Sequence, residues 1–233
     1  MATSSVPTAG FWEGTAAKPT GGFEYELARK LAERFELDHV RIEVVHFHRI
    51  VAGDLGGADL ALALITPTEE REEALDFSSP YLDAPPTVVV RSGTEVPDLA
   101  DAQELRWGAV RATTFVDTIS DRIAPEEPLR IYDRQEQMLA ALEAGKVEAV
   151  LFDLPLAVAI ADESNGRLEA VAQLPNPEEI AAALPQGSEN AEAVDSALRS
   201  LAADETIHDL LEEWVGPEAA DAEHALPLLR TSR

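Results

Sequence analysis

The run Asp59-Leu-Ala-Leu-Ala-Leu-Ile65 carries no polar residue after its first position. A strand with one wet face alternates apolar and polar residues, so an unbroken apolar run marks a strand covered on both faces, as in the sheets of α/β folds. Its surroundings agree. Phe23, Leu27, Ala28, Leu31 and Phe35 recur at helical spacing after Gly21-Gly22, and Val40, Ile42 and Val44 alternate with polar neighbours as a half-buried strand. Further strands are expected at Thr87–Val90, Trp107–Val110, Leu129–Tyr132 and Val147–Phe152, with helices at 98–105, 114–123, 134–144 and 154–163. Two more helices, 189–201 and 205–214, are expected to stop at Gly216-Pro217. Strands alternating with helices imply parallel sheets with helices on their faces, and the class is α/β.

At 233 residues the chain exceeds the usual size of one compact domain. Two proline-rich places, Asp83-Ala-Pro-Pro-Thr87 and Gln173-Leu-Pro-Asn-Pro-Glu178, interrupt the rhythm, and the βα units between them form a self-sufficient run. The middle segment therefore reads as a domain inserted into one made by the two chain ends. With 18 Lys and Arg against 44 Asp and Glu, the formal charge of −26 repels phosphate backbones and anionic lipid, so no nucleic-acid partner is expected. The absence of cysteine excludes disulfides, thiol catalysis and cysteine-ligated metals. No apolar run approaches the roughly 20 residues of a membrane span. The start, MATSSVPTAGFWEG, lacks the basic and apolar regions of a signal peptide.

One stretch, ITPTEEREEALDFSSPY, sets Arg71 among four glutamates after a covered strand and two threonines. Taken alone, that arginine is a solvated helix charge with partners one turn away. Asp153 and Thr114, each ahead of an expected helix, are likewise suited to capping.

The segments GGFEYELARKLAERF, ADLALALITPTEEREEALDFSSPYL, WGAVRATTF and MLAALEAGKVEAVLFDLPLAVAI, in that order, resemble the type II periplasmic binding proteins. The resemblance is to family 3, the polar amino-acid-binding component of ABC importers, and runs from about Gly21 to Trp214. Its sharpest part is Thr-x-Thr-x-x-Arg followed by Asp-Phe-Ser-x-Pro-Tyr, here Thr66, Thr68, Arg71 and Asp76 to Tyr81. The resemblance implies a two-lobed flytrap, with lobe 1 from 1–87 and 175–233 and lobe 2 (88–174) inserted into it. A two-strand hinge would lie near 84–90 and 172–178. It also implies capture of a small carboxylate-bearing ligand, a polar amino acid, by hinge closure for delivery to ABC transporter membrane subunits. The protein would act as an extracytoplasmic monomer without cofactor, catalytic residue or metal, its signal peptide absent from this chain.

Carried over residue by residue, Arg71 matches the carboxylate-binding arginine, whose planar guanidinium donates two parallel hydrogen bonds. Thr66 and Thr68 match hydroxyl or backbone ligands beside it, and Thr114 matches a threonine that offers a helix N-terminus to the carboxylate. Asp153, closing the strand VEAVLFD, matches the ammonium-binding aspartate at the carboxyl end of a sheet strand. Phe47 matches an aromatic that stacks on the ligand side chain in some members, and Arg111 stands where a polar or basic residue is common. Trp12 falls in a loop that lines the pocket in the family. His46 and His48 lie two apart, but no third ligand joins them in a metal motif.

The pattern departs from the family at four places. Leu64 replaces a frequent glycine, Ala112, Thr113 and Phe115 replace a glycine-rich turn, Phe152 fills an often polar place, and the first strand is reduced to Ala2-Thr3. These leave the ligand open. Two alternatives stay open with it: a ligand-sensing receptor domain of the same fold, and a cyclohexadienyl dehydratase-like enzyme, for which Glu13, Glu24 and Asp153 are the acids near the pocket.

Overall fold

A computed structural model describes residues 1–220 and 226–230. In chain order the elements are β1 (Ala2–Thr3), β2 (Glu13–Thr15), β3 (Lys18–Gly21), α1 (Phe23–Arg34), β4 (Glu43–Val44), α2 (Phe47–Ile50), β5 (Ala61–Ile65), α3 (Glu69–Glu72), β6 (Leu75–Phe77) and β7 (Leu82–Ala84). Then come β8 (Pro86–Arg91), α4 (Leu99–Glu104), β9 (Trp107–Val110), α5 (Phe115–Asp117), a π-helical stretch at Thr118–Ile123, β10 (Arg130–Tyr132), α6 (Gln135–Glu143), β11 (Ala149–Asp153), α7 (Leu154–Glu163) and β12 (Leu168–Gln173). The described chain closes with β13 (Glu178–Pro185), α8 (Ala191–Ala203), α9 (Thr206–Trp214) and α10 (Pro217–Ala220).

The chain divides into two compact units, Met1–Asp83 with Glu179–Ala220, and Ala84–Glu178 with the chain end. The first holds the sheet β4-β1-β5-β13-β6, with β7 pairing β13; the second holds β10-β9-β11-β8-β12. Parallel sheets were the expectation, yet both are mixed: β13 runs antiparallel to β5 and β6, and β8 antiparallel to β11 and β12. The odd strands are those that follow the passages at 83–84 and 178–179, outside any βαβ crossover, so no helix return obliges them to run parallel.

Three expectations about single elements change. The strand over Val40–Val44 shrinks to β4 because its partner β1 offers only Ala2 and Thr3 for pairing. The helix over 114–123 is a three-residue α5 continued by wider π-helical turns, which carry Ile119 and Ile123 fully into the second core. Residues 226–230, expected in lobe 1, join the second unit: Gln173 donates to the Pro227 carbonyl (2.9 Å), Leu229 donates to Gln173 (2.7 Å), and Leu99 donates to Arg230 (2.9 Å). Positions 221–225 and 231–233, also expected in lobe 1, lie outside the described residues.

In the first unit α1 buries Phe23, Leu27 and Leu31, each worth about 2 kcal/mol once removed from water. Burial of that stripe, more than propensity, holds a helix of this length. Its start is set by Gly22, whose φ of 110° lets residues 10–12 pass close by, with Phe23 donating to Gly10 at 2.8 Å. In the second unit Val88, Val90, Trp107, Ile119, Ile123 and Leu151 form the core. The indole N–H of Trp107 is satisfied there by the Ala102 carbonyl at 2.7 Å.

Candidate functional site

The turn from β5 to α3 places Arg71. Pro67 cannot continue a ladder, and Thr68 takes an extended conformation and caps α3, its hydroxyl accepting from the Arg71 N–H at 3.2 Å. Arg71 itself is buried, 7% exposed, while Glu69, Glu70, Glu72 and Glu73 on either side are exposed. That pattern is the reverse of a solvated helix charge. The guanidinium is held from two directions: Nη1 donates to the Thr66 carbonyl at 2.6 Å, and the Phe47 ring lies 5.4 Å from its carbon. A guanidinium lying over a ring with one nitrogen on a carbonyl has its orientation constrained, which suits two-pronged recognition of a carboxylate.

Beside this turn lies the buried carboxylate of Glu24, which the sequence suggested only as an acid near the pocket. Glu24, 1% exposed, accepts three hydrogen bonds: from Trp12 Nε1 on Oε2 (2.7 Å), and from Tyr81 Oη (2.6 Å) and the Leu64 N–H (2.9 Å) on Oε1. Trp12, named above as a pocket residue, is buried with its indole on Glu24. The signal was a charge inside an apolar stripe, since Glu24 shares a helix face with Leu27, Ala28 and Leu31. Burial raises the Glu24 pKa above its ordinary value, against the three donors, which favour the charged form. A raised carboxyl pKa gives stability that is fully present below the ordinary glutamate range and is lost as pH rises through the raised value. The melting temperature of the native chain relative to Glu24→Gln, which cannot titrate, is therefore expected to improve as pH falls from 8 towards 5. A difference that shrinks over that range would contradict the assignment.

The second unit supplies the other named residues. Asp153, 5% exposed, is the last residue of β11, and its side chain makes no capping bond to α7. Thr114 donates its hydroxyl to Glu178 Oε2 at 2.8 Å. Arg111 is exposed and paired with Asp133 at 2.9 Å. Between them Ala112 adopts φ 62°, a left-handed conformation that glycine takes more readily than alanine.

The structure thus gathers Phe47, Thr66, Thr68 and Arg71 in the first unit, with Trp12 tied to them through Glu24, and places Arg111, Thr114 and Asp153 in the second. Among the described residues no group of three or more His, Asp or Glu side chains is arranged to hold a metal. His46 and His48 stack on each other at 5.6 Å. A separate cavity of about 640 Å³ in the first unit, lined by Phe35, Arg41, Asp59 and Val194 among others, includes none of the named site residues. Among the described residues no helix is long and apolar enough to cross a membrane.

Residues 5–217 match the family described as "Bacterial extracellular solute-binding proteins, family 3". The chain is 25% identical over 211 residues to the L-cystine-binding protein TcyJ of Escherichia coli (strain K12), covering 89% of this chain and 78% of that protein. It is 25% identical over 205 residues to the ABC transporter glutamine-binding protein GlnH of Bacillus subtilis (strain 168), covering 86% of this chain and 74% of that protein. Its fold overlays with a TM-score of 0.80 and 25% identity on an amino acid ABC transporter substrate-binding protein from Streptococcus pneumoniae Canada MDR_19A bound to L-arginine, covering 94% and 92% of the two chains.

Proposed function

The chain belongs to the bacterial extracellular solute-binding proteins, family 3, and from that premise we propose that it captures a polar amino acid outside the cytoplasm by hinge closure and delivers it to an ABC importer. The observation that carries the reading is the buried Arg71, held by the Thr66 carbonyl and the Phe47 ring at the end of a covered strand. In this reading Arg71 takes the ligand carboxylate, with Thr66 and Thr68 beside it. Asp153 takes the ammonium, and Thr114 and Arg111 border the ligand. Relatives named for cystine and glutamine, and a structural relative bound to L-arginine, support an amino acid as the solute class.

No bond is made or broken in this scheme. A solute that binds only the folded chain raises stability by mass action, about 2.7 kcal/mol at a hundred times its Kd. A thermal-shift screen against amino acids, organic acids and polyamines is expected to single out one small class of amino acids. Asp153→Ala is expected to weaken that class while sparing a carboxylate without an amine. A screen in which only polyamines or amine-free acids stabilise the protein would overturn the amino-acid reading. Conversion of prephenate, followed by absorbance, would overturn the non-enzymatic one.

A further inference from the structure

We propose that Glu24 is a positioning residue for the Arg71 turn, holding a left-handed bulge at Leu64 from which Thr66, Thr68 and Arg71 are presented; the inference rests on Arg71 being the carboxylate partner. The bulge is visible in the ladder. Ala61 pairs with Ala183 and Ile65 with Ala181, so β5 spends four residue steps against two of β13. Leu64, inside that excess, has φ 49°, a conformation that crowds a Cβ against the following carbonyl and that glycine adopts freely. Leucine therefore holds here a backbone conformation that glycine would adopt at less cost.

A bulge takes residues out of the ladder and re-aims the chain beyond it. Here the Leu64 N–H goes to Glu24 Oε1 at 2.9 Å, a buried acceptor on the first turn of α1. The same carboxylate gathers Trp12 and Tyr81, so three segments meet on one side chain. The backbone and indole groups can only donate, and the phenol donates as well. A carboxylate answers all three, whereas glutamine with its oxygen at the Oε1 place turns an NH₂ towards the Trp12 N–H. Two residues beyond Leu64, the Thr66 carbonyl holds the Arg71 guanidinium at 2.6 Å. A bulge that relaxes towards ordinary strand geometry moves that carbonyl, and the arginine with it.

The test compares Glu24→Gln, Tyr81→Phe and the double variant Glu24→Gln/Leu64→Gly with the native chain. Calorimetric titration with L-arginine, L-glutamine and L-cystine reads affinity, and hydrogen exchange reads the backbone amide at position 64. Glu24→Gln is expected to raise Kd about tenfold or more and to speed exchange of the Leu64 amide. The double variant is expected to recover affinity to within about threefold of native, because glycine holds the left-handed bulge without help. A role confined to global stability predicts a lower melting temperature with no recovery by Leu64→Gly. Native Kd in Glu24→Gln, or a double variant no better than the single one, overturns the proposal. Should Glu24→Gln not fold, Tyr81→Phe removes one donor from Oε1 and is expected to raise Kd about threefold, as loss of part of a hydrogen-bond network does; an unchanged Kd overturns the proposal. If the native chain binds none of the three and the thermal-shift screen finds no other amino acid, the amino-acid reading fails on its own. The exchange arm then decides: faster Leu64 exchange in Glu24→Gln supports the hold on the bulge, and equal exchange overturns it.

Discussion

Arg71→Ala is expected to remove the ligand-induced rise in melting temperature altogether. Two parallel hydrogen bonds between a guanidinium and a carboxylate are each worth about 1.5–3 kcal/mol. Losing both costs about 3 kcal/mol or more, which raises Kd over a hundredfold. Arg71→Lys keeps the charge but replaces a planar fork by a point, so it is expected to recover only part of the affinity. Arg71 also has a structural share, since its Nη1 satisfies the Thr66 carbonyl and its plane covers Phe47. The apo protein is therefore expected to melt somewhat earlier in the alanine variant. Measuring the apo melting temperature and the ligand shift separately divides the two effects. A full ligand shift in Arg71→Ala would contradict the site.

Gly22→Ala is expected to be strongly destabilising in the first unit. A Cβ at Gly22 would sit 2.3 Å from the Phe11 carbonyl oxygen and 2.7 Å from the Trp12 nitrogen. Both are backbone atoms, so no side chain can swing aside. Relief requires residues 11 and 12 to move away from the start of α1, and Trp12 carries one of the three hydrogen bonds on Glu24. The φ of 110° adds strain of its own. Backbone strain of about 1–2 kcal/mol and overpacking of about 1–3 kcal/mol sum to about 3 kcal/mol, a fall of about 10 °C in a unit of this size. Gly57→Ala is the control: its φ is 84°, but nothing lies within 4 Å of the added carbon. It is expected to show the strain without the clash. Equal melting temperatures for the two variants would refute the steric argument.

The parts of the fold that a local pattern reports were legible in the residues alone. The apolar run at 60–65 is β5, the helical stripe from Phe23 is α1, and the middle strands lie within a residue or two of their expected places. What stayed hidden depends on partners distant in sequence. The direction of β8 and β13 follows from where the chain passes between units, and the length of β4 follows from the two residues of β1. Residues 226–230 carry little local pattern, and only hydrogen bonds to Gln173 and Leu99 reveal their place.

The site divides in the same way. The motif around Arg71 marked it as a candidate, and its burial follows from the threonine cap that turns it inward. The Leu64 substitution was visible, but its meaning was not, because a bulge is a mismatch between two strands and is written in neither alone. Glu24 was legible as an acid near the pocket, alongside Glu13 and Asp153, but not as a hydrogen-bond acceptor for three segments. That part appears only once Trp12, Leu64 and Tyr81 are brought around it.

The most direct measurement is calorimetric titration of the native chain and of Arg71→Ala with the amino acid that gives the largest thermal shift, followed by recovery of the ligand. The expected result is a saturable one-to-one heat for the native chain, no heat for Arg71→Ala, and a ligand recovered chemically unchanged. Equal heats for the two proteins, or a ligand recovered as a different compound, would contradict it.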